Sequence, residues 1–399
     1  MKFSILLPTR NRLELLKYAI YSVINQDYDN WEIIISDNYS EEKIFEYVAS
    51  LKDPRIKYFR THAFIPVTEN WNNALEKSSG DYVIMLGDDD CLMKGYFTTV
   101  IKLIKEFSPF DFLYTGGFMY AYPGVYPNYP EGFFQLFINA TFFKSKRQAF
   151  WLNYPETASA IESSLNFKNH FAFNMQYALI SRKFINLLSK NMPFFQSPYP
   201  DFYAMLAMML NAKKILIYPF PIVTVGISKK SFGFYFVNNL ETDGIKFLNN
   251  SSLSRITDSL KSSLLPGSEH YSNWLFAMEQ LKLNYKQQFH LKINYRRYRL
   301  LQTIVAFRKW ISKQKHSHAI LLDTWKRLTF LEKLSYGYVF YCGACWLRFM
   351  SNKYNRKLGK FFIKLLRIND SLRHYEINQK HTNIKEIFDN IDPNNFKRN

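Results

Sequence analysis

Cysteine is nearly absent, with three in 399 residues. Cys91, Cys342 and Cys345 cannot build a disulfide framework, and the lone Cys-x-x-Cys at 342–345 has no second pair to complete a zinc site. Those two thiols read as small buried groups on one helix face. Long apolar runs are missing too: the uncharged stretch 334–347 is too short and too polar to span a bilayer. Met1-Lys2-Phe3-Ser4 leads straight into a strand-like segment and lacks the architecture of a signal peptide. These absences predict a cytoplasmic chain without a transmembrane helix. No known nucleic-acid-binding motif is present, and no Gly-rich triphosphate loop with a following lysine comes after the first strand. Both lacks weigh against a nucleic-acid-binding protein and a sugar nucleotidyltransferase, the two rival classes.

Acidic residues are scarce in one part only. Residues 250–399 hold 27 Lys and Arg against 10 Asp and Glu, whereas 1–249 hold 25 against 23. The net charge of +19 is therefore a property of the C-terminal part. Such asymmetry suits an anionic partner, whether phospholipid, nucleic acid or acidic glycan, although an AT-rich coding sequence also enriches Lys. Apolar residues make up an ordinary 47%, enough for a sizeable core, and aromatics a high 18%.

Apolar segments alternate in type along the first part. Strands are expected at 3–7, 31–36, 56–59, 82–86 and 111–114, with helices at 11–25, 41–51, 68–77 and 94–107 between them. Alternation of this kind predicts an α/β fold, a mostly parallel sheet flanked by helices, in which polar residues just past the strand ends form the site. Here those positions hold Thr9 to Arg12, Asp37, and Asp88, Asp89 and Asp90. On an extended backbone Asp88 and Asp90 share a face, as a pair able to hold a hard divalent cation; a solvated acidic turn is the plain alternative. Residues 116–145 lack a clear period and carry Pro123, Pro127 and Pro130. They read either as an acceptor loop or as an aromatic insertion packed on the sheet. Asp201 opens a strongly apolar helix, where an aspartate serves as a cap. Residues 226–233 form a basic, hydroxyl-bearing loop able to hold a diphosphate through Lys229 or Lys230.

The residues Pro8-Thr9-Arg10-Asn11-Arg12, Asp37-Asn38-Tyr39-Ser40 and Gly87-Asp88-Asp89-Asp90 resemble the nucleotide-binding half of family 2 glycosyltransferases of the GT-A fold. The likeness covers about the first 115 residues and continues more weakly to Gly233. It implies an inverting transferase that takes a sugar from a nucleotide-diphosphate sugar, a UDP-sugar being favoured, to a glycan or lipid-linked acceptor in bacterial capsule, lipopolysaccharide or exopolysaccharide synthesis. Pro8, Thr9, Arg10 and Asn11 would line the nucleotide pocket, Asp37 would bond the base, and Asp88 would lie near the ribose with Asp89 beside it. Asp90, helped by Asp88, would bind Mg²⁺ or Mn²⁺ on the diphosphate. Asn70 is a further donor contact, and Asp201 would be the catalytic base. Three departures stand out: Asn38 replaces a frequent second acid, Pro200 precedes Asp201 in place of an acid, and no histidine lies in 226–233.

The expected organisation is a transferase domain over 1–245, with a nucleotide-sugar half at 1–115 and an acceptor half at 116–245. A basic helical region would follow at 246–399. Within it Tyr298, Leu301, Ile304, Val305 and Ile311 repeat at helical spacing among arginines, as do Leu358, Phe361, Phe362, Leu365 and Leu366 among Lys and Arg. Such helices either pack on a neighbour with solvated basic faces or lie on an anionic membrane, peripheral to its inner face. The polar tail 378–399 is expected to fray.

Overall fold

The computed structural model describes residues 1–143, 146–238, 240–249, 260, 263–311, 314, 316–337, 345, 372–377 and 379–396. It divides into two compact units. One comprises Met1–Ile161, His170–Leu253 and Leu372–Asn399; the other comprises Glu162–Asn169 and Ser254–Ser371. Among the described residues no helix is long and apolar enough to cross a membrane.

In the first unit four apolar runs form the parallel strands β1 (Phe3–Thr9), β2 (Trp31–Asp37), β3 (Ile56–Arg60) and β4 (Tyr82–Met85). β1 lies between β2 and β4, with Phe3 opposite both Trp31 and Tyr82. Every residue of β2 is buried, as in a strand covered on both faces. Helices α1 (Leu13–Ile24), α2 (Ile44–Ser50), α3 (Val67–Glu76) and α4 (Tyr96–Phe107) make the connections. The apolar stripe Leu16, Ala19, Ile20 and Val23 of α1 packs with Ile5, Leu7, Ile33 and Ile35. Burying each large side chain of this set contributes roughly 2 kcal/mol.

Beyond β4 the sheet becomes mixed. The short β5 (Cys91–Leu92) is followed by β6 (Phe112–Ala121), β7 (Phe133–Ile138), β8 (Phe150–Trp151), α5 (Tyr154–Leu165), β9 (Ala178–Ser181), α6 (Arg182–Leu188), α7 (Pro200–Asn211) and β10 (Ile215–Ile227). β9 runs antiparallel between β4 and β6, while β10 lies parallel to β6. The chain is thus an α/β protein with a mixed sheet flanked by helices.

Residues 116–143 are more regular than the sequence suggests, because β6 continues through Gly116 and Gly117 and β7 pairs with it. A Cβ on Gly117 would lie 2.4 Å from the Tyr177 ring, and one on Gly116 2.5 Å from the Pro219 carbonyl oxygen. These glycines permit close packing within a strand and do not mark its end. Likewise β10 passes through Pro219 and Pro221 as one strand with register shifts, where the sequence suggests two.

Within the tail residues 379–396 are ordered, contrary to the expected fraying. β11 (Arg373–Glu376) adds to β7 at the sheet edge, and the helix Ile384–Asn390 buries Ile384, Ile387 and Phe388. These side chains meet Cys91, Met93, Phe118 and Phe134, with Tyr18 and Tyr21 of α1 alongside. Apolar spacing outweighs polar composition here, and the Asn383 side chain caps the helix by accepting from Glu386 N at 3.1 Å.

The second unit is helical. Its helices include Glu269–Tyr285, Tyr295–Ile311 and Ser317–Arg327. Phe167 packs against Trp274 and Tyr298 in its core, and the buried Gln302 bridges the backbone of Ser268. Within 295–311 the buried face is Tyr298, Gln302, Thr303, Ala306 and Phe307, so Leu301, Ile304 and Val305 are only partly covered. The stripe Leu358, Phe361, Phe362, Leu365 and Leu366 lies outside the described residues, as does Cys342. Cys345 is exposed, so apolar sequence neighbours do not bury that thiol as expected.

Candidate active site

Thr9 and Asp37 end adjacent parallel strands and face each other in the register. Asp37 is buried and fully engaged: Ser40 N donates to Oδ1 at 2.9 Å and the Tyr58 hydroxyl to Oδ2 at 2.5 Å. Asn38 is held by the backbone of Ile65, with its amide donating to Ile65 O at 2.8 Å. At the start of α1 Asn11 adopts φ 52°. Its carbonyl side chain accepts from Glu41 N at 2.7 Å and its own N–H donates to Ser40 Oγ at 2.8 Å, so it ties the two loops together and caps nothing. Arg10 lies over the Phe64 ring at 3.6 Å, and Pro8 is paired with Ser36 within the sheet. Asn70 is buried and commits its amide to Ser36, accepting from Oγ at 2.7 Å and donating to the carbonyl at 3.1 Å.

After β4 the backbone turns, and this separates Asp88 from Asp90, which an extended chain would have aligned. Gly87 N donates to Asp90 Oδ2 at 2.9 Å, and a Cβ on Gly87 would fall 2.4 Å from that oxygen. Asp88 faces β1 and α1, accepting from Thr9 Oγ1 at 2.7 Å and from Arg12 Nη1 at 2.6 Å. Asp90 faces the other way, accepting from Gln176 Nε2 at 2.5 Å and from Gly226 N at 2.8 Å. Asp89 accepts from Ser228 Oγ at 2.9 Å through Oδ2, and no described residue donates to its Oδ1. Asp88, Asp89 and Asp90 are 1%, 6% and 1% exposed, so three carboxylates share a nearly dry site with one arginine.

That imbalance sets the electrostatics. Burial raises the Asp88 carboxyl above its usual range despite Arg12, and burial together with Asp89 raises Asp90 well above it. Burial disfavours the Arg12 cation, yet Asp88, Asp89 and Asp90 together hold it above its ordinary value. The hydroxyls of Tyr122 and Tyr177 are buried without a hydrogen-bond partner among the described residues, their ionisation opposed by burial and by the neighbouring acids. Donors in that condition are ready for a ligand oxygen.

The 226–231 loop closes against α1. Lys230 Nζ reaches the Asn11 carbonyl and Glu42 Oε1 (3.0 Å), while Arg12 Nη2 donates to the Lys230 carbonyl. Lys229 is exposed beside Gly124. Asp201 stands in the first turn of α7, its Oδ1 accepting from Phe202 N at 3.0 Å. Burial pushes its carboxyl up to about 7. No hydrogen bond joins it to Asp37 or to the three acids; its surroundings connect them. Phe202 stacks on Phe173 at 4.2 Å, three residues before Gln176, and Tyr199 touches Phe232 at 5.2 Å, just past the 226–231 loop. Thr68 Oγ1 donates to Ser197 O at 2.6 Å, which ties this segment to α3.

Sequence reasoning missed Gln176, Tyr58 and the pairing of Ser228 with Asp89. Ser228 lies in the loop singled out for phosphate, whereas nothing in the strand-like stretch around Gln176 marks it.

The acidic turn with its strand-end partners falls inside residues 4–155, which match Glycosyl transferase family 2. This part of the chain is a family 2 glycosyltransferase domain. Over 108 residues the chain is 40% identical to the GalNAc(5)-diNAcBac-PP-undecaprenol beta-1,3-glucosyltransferase of Campylobacter jejuni, covering 26% of this chain and 35% of that one. It is 34% identical over 135 residues to the putative colanic acid biosynthesis glycosyl transferase WcaA of Escherichia coli K12, covering 32% and 48%. The Escherichia coli UDP-Glc:alpha-D-GlcNAc-diphosphoundecaprenol beta-1,3-glucosyltransferase WfgD is 31% identical over 87 residues, covering 22% and 34%. The chain therefore spans between a third and a half of the length of these relatives, and the shared part is the glycosyltransferase domain.

The chemistry of the acidic turn bears on a divalent cation. The donors are hard oxygens, one of them has no partner among the described residues, and the site carries excess negative charge, all of which suit Mg²⁺ or Mn²⁺. Among the described residues no group of three His, Cys, Asp or Glu side chains could hold a metal alone. Any cation there would need ligand or water oxygens to complete its shell.

Proposed function

We propose that the protein is an inverting glycosyltransferase that moves a sugar from a nucleotide-diphosphate donor, with UDP-sugars favoured, to a hydroxyl of a glycan or lipid-linked acceptor in bacterial surface polysaccharide synthesis. The observation that carries this reading is the buried acidic turn, joined to Thr9 and Arg12 at the carboxyl ends of parallel strands inside a family 2 domain. The UDP donor and lipid-linked acceptor are supported by the names of the WfgD and Campylobacter relatives.

In this reading Thr9, Asp37 and the 8–11 turn seat the nucleoside, and Arg12 with Lys229 and Lys230 faces the diphosphate. Asp89, whose Oδ1 accepts from no described residue, would hold Mg²⁺ or Mn²⁺ more directly than Asp90, whose oxygens are taken by Gly87, Gln176 and Gly226. Bound there, the cation supplies charge neutralisation for the diphosphate leaving group. Asp201 takes the proton from the acceptor hydroxyl as that oxygen attacks the anomeric carbon from the face opposite the nucleotide. A carboxyl pushed up to about 7 is suited to that transfer near neutral pH, and the helix start fixes its position.

The test is a panel of nucleotide sugars assayed for transfer and for slow hydrolysis, with and without chelator. Product with at least one donor, lost in Asp201→Asn while nucleotide still binds, is the expected result. If no donor is turned over or bound, the reading fails.

A further inference from the structure

Among its described residues the helical unit presents an apolar surface that the described core does not use. Thr329 N donates to Glu332 Oε2 at 2.8 Å and Glu332 N to Thr329 Oγ1 at 3.2 Å, a capping box that starts a helix at Phe330. On the inner side Leu328 and Tyr336 are buried with Leu265. Outward, Phe330 is 74% exposed, Leu331 75% and Leu334 65%, and the preceding helix adds Leu322 at 46% and Trp325 at 38%. Lys333 Nζ lies 5.8 Å from the Trp325 ring, which brings the two helices' exposed residues together. Scattered exposed apolar side chains are ordinary, but five large ones within one helix–turn–helix mark a contact surface.

Its charge selects the partner. The two acids nearby are spent on arginines, Asp323 with Arg327 at 3.0 Å and Glu332 with Arg299 at 2.5 Å. Lys326 and Lys333 then give the rim a positive sign, within a part of the chain that carries 27 basic against 10 acidic residues. Protein interface cores are depleted in lysine, whereas aromatic and leucine side chains framed by lysine suit the headgroup layer of an anionic bilayer. We propose that Leu322, Trp325, Phe330, Leu331 and Leu334 insert into the surface of an anionic lipid membrane, with Lys326 and Lys333 on its phosphates. No described helix is able to cross a bilayer, so this is a peripheral contact. It stands apart from the transferase reading, because binding is measured without turnover.

The full chain is to be sedimented with phosphatidylcholine vesicles and with vesicles containing about a third phosphatidylglycerol. Binding is expected to the anionic vesicles and to weaken strongly at about 0.5 M salt. Phe330→Glu with Leu331→Glu lowers partitioning by about tenfold or more. Lys326→Glu with Lys333→Glu removes the preference for the anionic lipid. All four sites are at the surface, so circular dichroism and thermal midpoint stay unchanged and serve as fold controls. Equal binding to both vesicle types, or no loss in the Phe330/Leu331 pair, overturns the proposal. So does a dimer mass by light scattering that the same pair abolishes when vesicles are not bound, since the face then joins two copies of the chain.

Discussion

The two ends of the parallel strands handle buried carboxylates differently. At the amino ends Glu32 is 1% exposed and accepts from Lys2 at 2.7 Å, Lys57 at 2.8 Å, Ser4 Oγ at 2.7 Å and Ser79 N at 2.6 Å. Burial works against its charge, but these donors win and hold it well below the usual carboxylate range. At the carboxyl ends Asp88 and Asp90 are as deeply buried, yet they are raised, because burial outweighs Arg12 and their other donors and the neighbouring Asp89 adds to it. Four donors around one acid make a closed structural knot. Three acids around one cation leave charge that a ligand must balance, and perturbation of that kind collects at functional sites.

The contrast breaks if either end behaves like the other. Asp89→Asn and Asp201→Asn should each lower transfer by about 10²- to 10⁴-fold without loss of thermal midpoint, measured by product formation and calorimetry. A comparable activity loss in Glu32→Gln would erase the distinction. Ile387→Ala, fully buried behind β5, should cost about 2–4 kcal/mol in urea unfolding. Unchanged stability there would mean that the tail does not support the carboxyl edge. Glu32→Gln should cost about 2 kcal/mol at neutral pH, since both lysines can still reach water.

Acidity sharpens the same comparison, with opposite signs. Glu32, lower when folded, contributes stability that is present above its unfolded pKa and lost as pH falls through the folded one. The stability gap between Glu32→Gln and the parent should therefore narrow in acid. Asp201, raised to about 7, makes the fold bind an extra proton between its ordinary value and 7, so its contribution declines as pH rises across that window. Asp201→Asn should thus gain thermal midpoint over the parent at pH about 8 relative to pH about 5. The parent's transfer rate should climb with pH through about 7. The smallest effect expected is Asn383→Ala, about 1 kcal/mol from the lost cap.

The sequence carries the parallel half clearly, because β1, β2 and β4 are dominated by apolar residues, Ser4 and Glu32 among the few exceptions, and give way to Thr9, Asp37 and Gly87. It hides what depends on distant partners. Gly116 and Gly117 read as a strand end because their reason, the approach of Tyr177 and Pro219, lies far along the chain. The direction of each aspartate is hidden too, since it is set by a turn closed on Gly87 and by Gln176 and Gly226. The tail's signal was present in Asn383, Glu386 and the apolar spacing Ile384, Ile387, Phe388 and Ile391, but a polar composition masked it.

The ordered tail bears on how the chain is made. Tyr21 donates to Asp389 across 368 positions. The outer flank of α1 and the stretch around Cys91 and Met93 thus wait, greasy and uncovered, until the ribosome has extruded the helix Ile384–Asn390. Throughout synthesis of the helical insertion this flank of the sheet lacks its cover. Slowing translation late in the message should lower the yield of soluble protein more than slowing it early.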